Sequence, residues 1–330
     1  MKTYVLGVES TAHTFSVSVV SSDGKVLSNA KSVYAPPEGK GIHPFEASQM
    51  HMGAAPKVLS QAVEASAIPL QDISAVSYAM GPGLGPCLRV GAVVARTLSS
   101  SLGVPLVPVN HAVGHIELGC LLTGAKDPVV LLVSGGHTMI IAYSGGRWRV
   151  LGESLDLTLG QLLDQFGRHH GLSSPCGRAI EEAASASSTY LKLPYVVKGN
   201  DVSFSGLLTA SKTLLDGGSP FADVSYSIQE TAFAMVTEVT ERALAFTGKS
   251  EVMIVGGVAA NKRLSGMMTA MAGRHSSRVA ITPVEYSGDC GAQIAWTGLL
   301  AHRSGIEIPV ERSNVLQSWR LDRVDIPWRG

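Results

Sequence analysis

The chain has 330 residues, 45% of them hydrophobic and 16% charged, and its Lys+Arg and Asp+Glu counts are equal at 26. This length is about twice that of a typical domain, so we expect two lobes with sizeable apolar cores. The balanced charge argues against a protein that binds nucleic acid unaided, because such proteins carry a basic excess.

The cysteines and the apolar runs exclude three further classes. Because the cysteines are far apart in the sequence, we expect neither a disulfide framework nor a thiolate zinc site. The N-terminus opens on a strand pattern instead of a signal peptide, and no apolar run approaches the roughly 20 residues of a membrane span. We therefore expect a cytoplasmic protein with no membrane partner. The four cysteines are Cys87, Cys120, Cys176 and Cys290.

The first third of the chain predicts a hairpin followed by alternating helices and strands. Asp23-Gly24 between two alternating runs is a strong hairpin signal. A helical pattern over 45–65 contains Pro56, where the helix would kink or split. In chain order the patterns predict strands over 4–8, 15–20 and 25–28, a helix over 45–65, a strand over 73–80, a helix over 88–102 and a strand over 106–109.

The pattern then restarts, which we interpret as an internal duplication. In both copies an apolar strand leads to a Ser/Thr turn ending in His-Thr, a second strand, a glycine turn and a third strand. Coincidence between common hairpins is the alternative, but hairpin, glycine loop and helix recur in the same order. The second copy predicts strands over 129–133, 139–143, 148–151 and 252–255, and a helix from about Asn261.

Two such copies facing each other predict an α/β fold with a nucleotide cleft. Backbone N–H groups and hydroxyls of the turns at 9–11 and 134–138 suit a phosphate group. Gly256-Gly257 lies at a strand-to-helix junction, where the lack of side chains lets a flat ring such as adenine approach. Each of these signals is weak alone, but their occurrence together and in this order predicts the nucleotide cleft.

His111 and His115 stand four residues apart on one predicted helix face, a spacing that lets both reach one metal ion. Histidines at this spacing are more often core or surface residues, but the small neighbours and the preceding strand end favour a site. Ala112 stands where HExxH metalloproteases carry their glutamate base, and Glu117 points elsewhere on the helix. A peptidase interpretation therefore lacks its base.

A third ligand and several other polar residues remain open at this point. Asp289, between glycines before an apolar helix, is either an oxygen ligand or the N-cap of that helix. Asp164, amid apolar neighbours, is either a ligand contact or a helix-surface residue. Histidines without a local partner are expected to be solvated or structural, and these are His169, His170, His275 and His302.

Seven motifs, in one order, resemble a known family. They are VLGVESTAHTFSVSVV, AMGPGLGPCLRVGAVVARTL, VNHAVGHIE, VSGGHT, SFSGLLTA, VGGVAANKRL and GDCGAQIAWTG. From Gly7 to about Trp328 the chain resembles the archaeal and eukaryotic tRNA N6-adenosine threonylcarbamoyltransferases, the catalytic subunits of the KEOPS complex, once misnamed O-sialoglycoprotein endopeptidases. The resemblance implies the fold of actin, sugar kinases and heat-shock ATPases, with two duplicated ribonuclease-H-like lobes around a nucleotide cleft. We expect lobe I to span 1–115 and 290–330, and lobe II 116–289.

The resemblance also implies a reaction and its participants. The threonylcarbamoyl group would pass from threonylcarbamoyl-AMP to the exocyclic amine of adenosine 37 of tRNA, next to the anticodon, and AMP would leave. One divalent ion per subunit, iron or zinc, would assist, and an adenine nucleotide (ATP, AMP or threonylcarbamoyl-AMP) would bind. The implied partners are tRNA and KEOPS subunits, including a small kinase or ATPase, fused in some archaea, and a dimerising subunit. Because the net charge is zero, we expect the isolated chain to bind tRNA poorly.

Site residues follow from the resemblance motif by motif. It implies that His111, His115 and Asp289 bind the metal. It implies a nucleotide and substrate site at Leu132, Val133, Ser134, Gly135, Gly136, Asp164, Gly177, Glu181 and Asn261. No strong general base is evident, and the candidates are Glu9 and His13.

The sequence departs from the family pattern at several positions. Leu132 stands where similar members often carry a tyrosine ligand, so the ion here would have two histidines, Asp289 and substrate or water. His137 replaces the asparagine of VSGGNT and would supply a nearby nitrogen. Three further replacements are Phe45 for arginine, Arg178 for proline and Cys290 for asparagine.

Two other functions are compatible with the same fold. A phosphotransferase or ATPase is one, although a sugar kinase would need an aspartate base in the cleft and would have no use for the histidine pair. A nucleotide-binding scaffold that has lost catalysis is the other, and Leu132 in the place of a ligand favours it.

Overall fold

The computed structural model describes residues 2–37 and 39–329, which form two five-stranded sheets, a separate two-stranded sheet and the helices packed against them. The strands are β1 (Tyr4–Glu9), β2 (Thr14–Ser21), β3 (Ala30–Val33), β4 (Ala75–Gly81), β5 (Leu106–Asn110), β6 (Val129–Val133), β7 (Thr138–Ser144), β8 (Arg147–Glu153), β9 (Val197–Lys198), β10 (Asp201–Val202), β11 (Glu251–Val255) and β12 (Arg278–Ile281). The helices are α1 (Pro44–Ser66), α2 (Gly85–Leu102), α3 (His111–Thr123), α4 (Leu159–His169), α5 (Gly177–Ser185), α6 (Ser205–Asp216), α7 (Phe221–Thr247), α8 (Lys262–Arg274), α9 (Val284–Ser287) and α10 (Gly291–Arg303).

The two sheets have the same topology. The first has the strand order β3-β2-β1-β4-β5, and the second has β8-β7-β6-β11-β12. In each, three strands form an antiparallel meander, a fourth strand pairs in parallel with the first strand of that meander, and a fifth pairs in parallel with the fourth. This repetition agrees with the duplication predicted from the sequence.

The third strand lies later than the predicted 25–28. The hairpin turn forms as expected, since the Gly24 amide donates to the Ser21 carbonyl at 2.9 Å. Beyond it, the hydroxyl of Ser28 accepts from the Val19 amide at 3.1 Å, so a side chain replaces part of the strand ladder. Regular pairing with β2 therefore begins only at Ala30.

Helix α1 continues through Pro56 instead of splitting there. Its buried face packs on β2 both before and after the proline, which holds the two halves against one surface. The packed residues include Ala47, His51, Ala55, Val58 and Ala62. Burial on the sheet outweighs the missing backbone hydrogen bond at this position.

Helix α10 lies directly on the first sheet because glycine allows the close approach. A Cβ atom on Gly7 of β1 would lie 2.2 Å from the Ala295 backbone nitrogen, so no other residue fits there. The first amide of the helix, on Gly291, donates to the Ser16 hydroxyl of β2 at 2.9 Å. These contacts fix the start of α10, and with it Asp289, beside the end of β1.

Helix α3 contacts both halves of the molecule. One side packs against α10, and the other packs against β6 and β11 of the second sheet. Separate apolar cores cover the two sheets elsewhere, with α1 and α2 on the first and α4 to α8 on the second. The lobe boundaries at 115/116 and 289/290 stay a prediction.

All four cysteines are free and buried, in agreement with the expectation that they form no disulfide framework. Within the described residues, no helix combines the length and the hydropathy that a membrane crossing requires.

Candidate metal and nucleotide site

Two histidines and one aspartate converge between α3 and the loop that precedes α10. Asn110 caps α3 by accepting from the amides of the first turn, so His111 and His115 project from its first two turns. The Asp289 Oδ1 atom lies 3.3 Å from His115 Nε2 and 3.5 Å from His111 Nε2. The three donor atoms lie within 4.8 Å of one another.

The spacing of these donors fits a divalent metal ion. Two ligands about 2.1 Å from one tetrahedral ion lie about 3.4 Å apart, close to both measured separations. Both histidines are buried, with 4% of His111 and 3% of His115 exposed. Asp289 does not cap α10, because Cys290 holds the N-cap position, so the capping alternative for Asp289 is wrong.

Glu9 orients His111 through Nδ1, the ring nitrogen that does not face Asp289. Its Oε2 atom lies 2.8 Å from His111 Nδ1, and its Oε1 atom accepts from the Thr11 amide at 2.6 Å. Gln293 Nε2 also lies 3.1 Å from His111 Nδ1. A carboxylate on the far nitrogen of a metal-binding histidine fixes its tautomer and ring orientation. The Nε2 atom is thereby left facing Asp289.

The charges of the site favour a cation. Burial lowers the pKa of His111, but Glu9 and Asp289 outweigh it and raise that pKa to about 9. Burial raises the pKa of Asp289, whereas His111 and His115 hold it below its usual range. Burial lowers the pKa of His115. Without an ion, the centre therefore keeps a proton on His111, and a divalent cation would replace it.

Leu132 and His137 occupy different surroundings near this centre. The Leu132 side chain is fully buried in an apolar cluster with Ala112, Val113 and Ile116, so it offers no ligand atom. The His137 ring lies nearly parallel to that of His111, with 6.0 Å between the ring centroids. Its Nδ1 atom is buried and has no hydrogen-bond partner in the described part of the chain.

The turn between β6 and β7 closes on itself through Ser134. Its hydroxyl accepts from the Gly136 amide at 3.2 Å and from the His137 amide at 3.1 Å. The Gly136 and His137 amides, which we expected to face a phosphate, therefore donate to a side chain of the same turn. Gly135 and Gly136 are exposed, and a Cβ atom added to either would meet no described atom within 4 Å. Val133 before them is fully buried.

The residues predicted to hold the nucleoside lie around α5. Asp164 accepts from the Ser174 hydroxyl at 2.8 Å and from the Cys176 amide at 3.0 Å, just before Gly177 begins the helix. Glu181 accepts from the Lys262 amide at 2.8 Å. Asn261 precedes that lysine and caps α8. The structure therefore brings these predicted positions together, and their polar side chains also brace α4, α5 and α8.

Glu117 lies away from the metal donors, as predicted. Arg329 donates to it from Nε, which lies 2.8 Å from Oε1 and 3.1 Å from Oε2, and from Nη2, which lies 3.0 Å from Oε2. The Trp148 indole donates to the same carboxylate at 2.9 Å, and the guanidinium lies 4.7 Å from the indole ring. This buried cluster holds the middle of α3.

The four histidines expected to be solvated or structural each have a partner in the structure. The partner of His169 is Asp216 at 2.7 Å, that of His275 is Glu241 at 2.7 Å, and that of His302 is Glu307 at 3.0 Å. His170 stacks on Phe221 with 3.8 Å between ring centroids. Most of these partners are far away in the sequence, so local patterns could not reveal them.

Sequence reasoning assigned Thr11 to a phosphate-binding turn instead of to the surroundings of His111, and it missed Gln293. The Thr11 hydroxyl lies 3.3 Å from His111 Nδ1, in addition to its amide bond to Glu9. Gln293 is fully buried in the first turn of α10. A polar residue on the apolar face of a helix directly after Asp289 was the available signal.

Comparisons with known proteins identify the family of the chain. A family model described as tRNA N6-adenosine threonylcarbamoyltransferase matches residues 25–296. A protein of that name from Caldivirga maquilingensis is 50% identical over 324 residues, 98% of each chain. A probable bifunctional tRNA threonylcarbamoyladenosine biosynthesis protein from Methanothermobacter thermautotrophicus is 49% identical over 323 residues, 98% of this chain and 60% of that protein.

The likeness to solved structures concerns the fold alone. HypF from T. kodakarensis has a TM-score of 0.64 at 14% identity, covering 92% of this chain and 48% of that one. The predicted α/β fold of the actin and sugar-kinase type is confirmed. The sequence relatives identify the activity, so the chain is a transferase that belongs to the tRNA N6-adenosine threonylcarbamoyltransferase family.

Proposed function

We propose that this chain transfers the threonylcarbamoyl group from threonylcarbamoyl-AMP to the exocyclic amine of adenosine 37 of tRNA, with release of AMP. Family membership supports the transferase activity. The finer proposal depends on one observation, the convergence of His111, His115 and Asp289 within 4.8 Å of one another. A sugar kinase or ATPase would have no use for these donors.

His111, His115 and Asp289 would hold one divalent ion, either iron or zinc, since imidazole and carboxylate donors suit both. When bound, the ion would supply Lewis-acid polarisation of the carbonyl group under attack. Leu132 contributes no donor atom, so water or substrate would complete the coordination. Glu9 would keep His111 in the orientation that ligation requires.

The protein's own residues would bind and align the two reactants. The amine nitrogen forms a bond to the carbamoyl carbon, the bond from that carbon to the phosphate oxygen breaks, and AMP leaves with the electron pair. We assign the adenylate phosphate to the turn from Val133 to Gly136, where the glycines leave open space. The nucleoside would lie along α5, against Asp164, Gly177, Glu181 and Asn261.

The attacking amine must also lose a proton. Glu9 is fully buried, and its two oxygens contact Thr11 and His111, which favours a positioning role over proton abstraction. His13 follows the same turn, and its buried Nδ1 atom has no partner among residues 2–37 and 39–329. We therefore assign proton acceptance to His13.

The lobes and the partners belong to the same proposal. Lobe I would comprise 1–115 and 290–330, lobe II would comprise 116–289, and the substrate would bind between them in the cytoplasm. Because the net charge is zero, tRNA binding would depend on basic surface from KEOPS-type partners, a small kinase or ATPase and a dimerising subunit. The bifunctional name of one relative, of which this chain covers 60%, supports a partner that is fused in that protein.

Reconstitution tests the proposed reaction. The parent chain, loaded with iron or zinc, is combined with tRNA, threonylcarbamoyl-AMP and partner subunits, and modified adenosine is measured by mass spectrometry. We expect transfer by the parent and by His302→Phe, and a loss of about 100-fold or more in His111→Ala and Asp289→Asn. No transfer by the parent would favour a scaffold, and ATP hydrolysis in its place would favour a phosphotransferase.

A further inference from the structure

His137 is held at the junction between the proposed phosphate turn and the metal donors. Its backbone makes two hydrogen bonds to Ser134, with its amide 3.1 Å from the hydroxyl and its carbonyl accepting from the Ser134 amide at 2.8 Å. The next residue, Thr138, begins β7. Because both backbone groups are bonded, the turn fixes the direction in which the side chain leaves the backbone.

The ring of His137 needs a partner that the described residues do not supply. Its Nδ1 atom is buried and unpartnered, a state that costs free energy in a folded protein. An imidazole ring carries at least one N–H donor whether it is neutral or protonated, so it can donate a hydrogen bond to an anionic group.

His137 lies beside the metal-donor set without belonging to it. Its ring centroid is 6.0 Å from that of His111. Within the described residues, however, the group of donor atoms within 4.8 Å of one another contains only His111, His115 and Asp289. The hydrogen-bond partner of the His137 ring is therefore better assigned to the substrate than to the metal ion.

We propose that His137 contacts the substrate, with its Nδ1–H donating a hydrogen bond to the phosphate of the bound adenylate. This inference rests on the proposed function, which assigns that phosphate to the turn from Val133 to Gly136. Negative charge grows on the phosphate as AMP leaves, and a fixed donor in a buried site stabilises such charge. His137 thus adds a side-chain donor to a turn whose Gly136 and His137 amides already donate to Ser134.

Binding measurements on matched variants test the role of His137. His137→Phe keeps an aromatic ring but removes the donor, whereas Asn at this position places its Nδ2 donor where the histidine has Nδ1. His302→Phe is the control, because His302 lies at the far end of α10, about 17 Å along the helix axis from its first residue, Gly291. AMP affinity is measured by calorimetry in metal-loaded and chelator-treated protein, and metal affinity by competition with a chelator.

We expect His137→Phe to weaken AMP binding about tenfold in both states, because a hydrogen bond to a charged group is lost. His137→Asn and the control should stay within about threefold of the parent, and metal affinity should stay within about threefold in every variant. Unchanged AMP affinity in His137→Phe would overturn the inference. A tenfold loss of metal affinity there would also overturn it, since His137 would then be a ligand. A parent that binds no AMP would overturn the proposed function as well.

Discussion

The Glu9 carboxylate lies 2.8 Å from Nδ1 of His111, although the two residues are 102 positions apart in the sequence. This contact joins the end of β1 to the start of α3 and sets the direction of the Nε2 atom. The buried carboxylate also raises the pKa of the histidine. Two predictions follow from this pair.

Glu9→Gln should weaken metal binding about 10- to 100-fold, because the histidine loses the carboxylate that orients it and increases its basicity. Competition with a calibrated chelator measures the affinity. Glu64→Gln, an exposed substitution on α1, is the matched control and should change nothing. Equal affinities in the two variants would show that Glu9 does not support the ligand.

Metal affinity should rise with pH. The pKa of His111 is about 9 in the metal-free centre, so below that pH a proton must leave before the ring coordinates an ion. The apparent affinity should increase about tenfold per pH unit up to about pH 9 and then level off. In Glu9→Gln the plateau should begin at lower pH, because the removed charge no longer raises the pKa. A flat profile from pH 6.5 to 8.5 would contradict this assignment.

Arg329→Met should lower the free energy of unfolding by about 3 kcal/mol, because it leaves the buried Glu117 carboxylate without its cation. Denaturant titration measures the change. Arg147→Met breaks an exposed pair with Asp325 and should cost less than about 1 kcal/mol. Adding Glu117→Gln to Arg329→Met should restore part of the loss. Similar costs for the two single variants would argue against a buried ion pair.

Gly7→Ala should lower the free energy of unfolding by about 3 kcal/mol and also weaken metal binding. The added methyl group would overlap the Ala295 backbone and push α10 away from β1, which displaces Asp289. Gly53→Ala is the control, since its Cβ would meet no described atom within 4 Å on the exposed face of α1. That helix should gain up to about 1 kcal/mol. If Gly7→Ala kept the metal affinity of the parent, the packing of α10 on β1 would not control the metal site.

The apolar pattern predicted β1, β2, β4 and β6 because these strands are buried along almost their whole length, but it made no prediction for α6 and α7. It failed at 25–28, where the hydroxyl of Ser28 replaces a ladder bond that no apolar pattern records. It also predicted a kink or a split at Pro56, because the packing that holds the two halves of α1 on one surface is tertiary. Local sequence patterns predict that a helix or strand forms, whereas the residues at which it ends depend on its tertiary contacts.

The donor set was only partly accessible to local reasoning. His111 and His115 could be paired by spacing, because both lie on α3. Asp289 is 174 positions from His115, and only its flanking glycines and the family resemblance suggested it. Glu9 was predicted as a base candidate, and its contact with His111 became visible only once β1 and α3 were adjacent. The lack of a hydrogen-bond partner for His137 Nδ1 in the described residues is likewise visible only in the folded structure.

The separation of His115 and Asp289 along the chain has a thermodynamic consequence. An ion held by both would tie together two segments that diverge when the protein unfolds, so it would act as a reversible cross-link. Binding only to the folded state adds about 2.7 kcal/mol of stability when the free ion is at 100 times its dissociation constant. The melting temperature of a preparation would then report its metal loading, independently of any tRNA substrate.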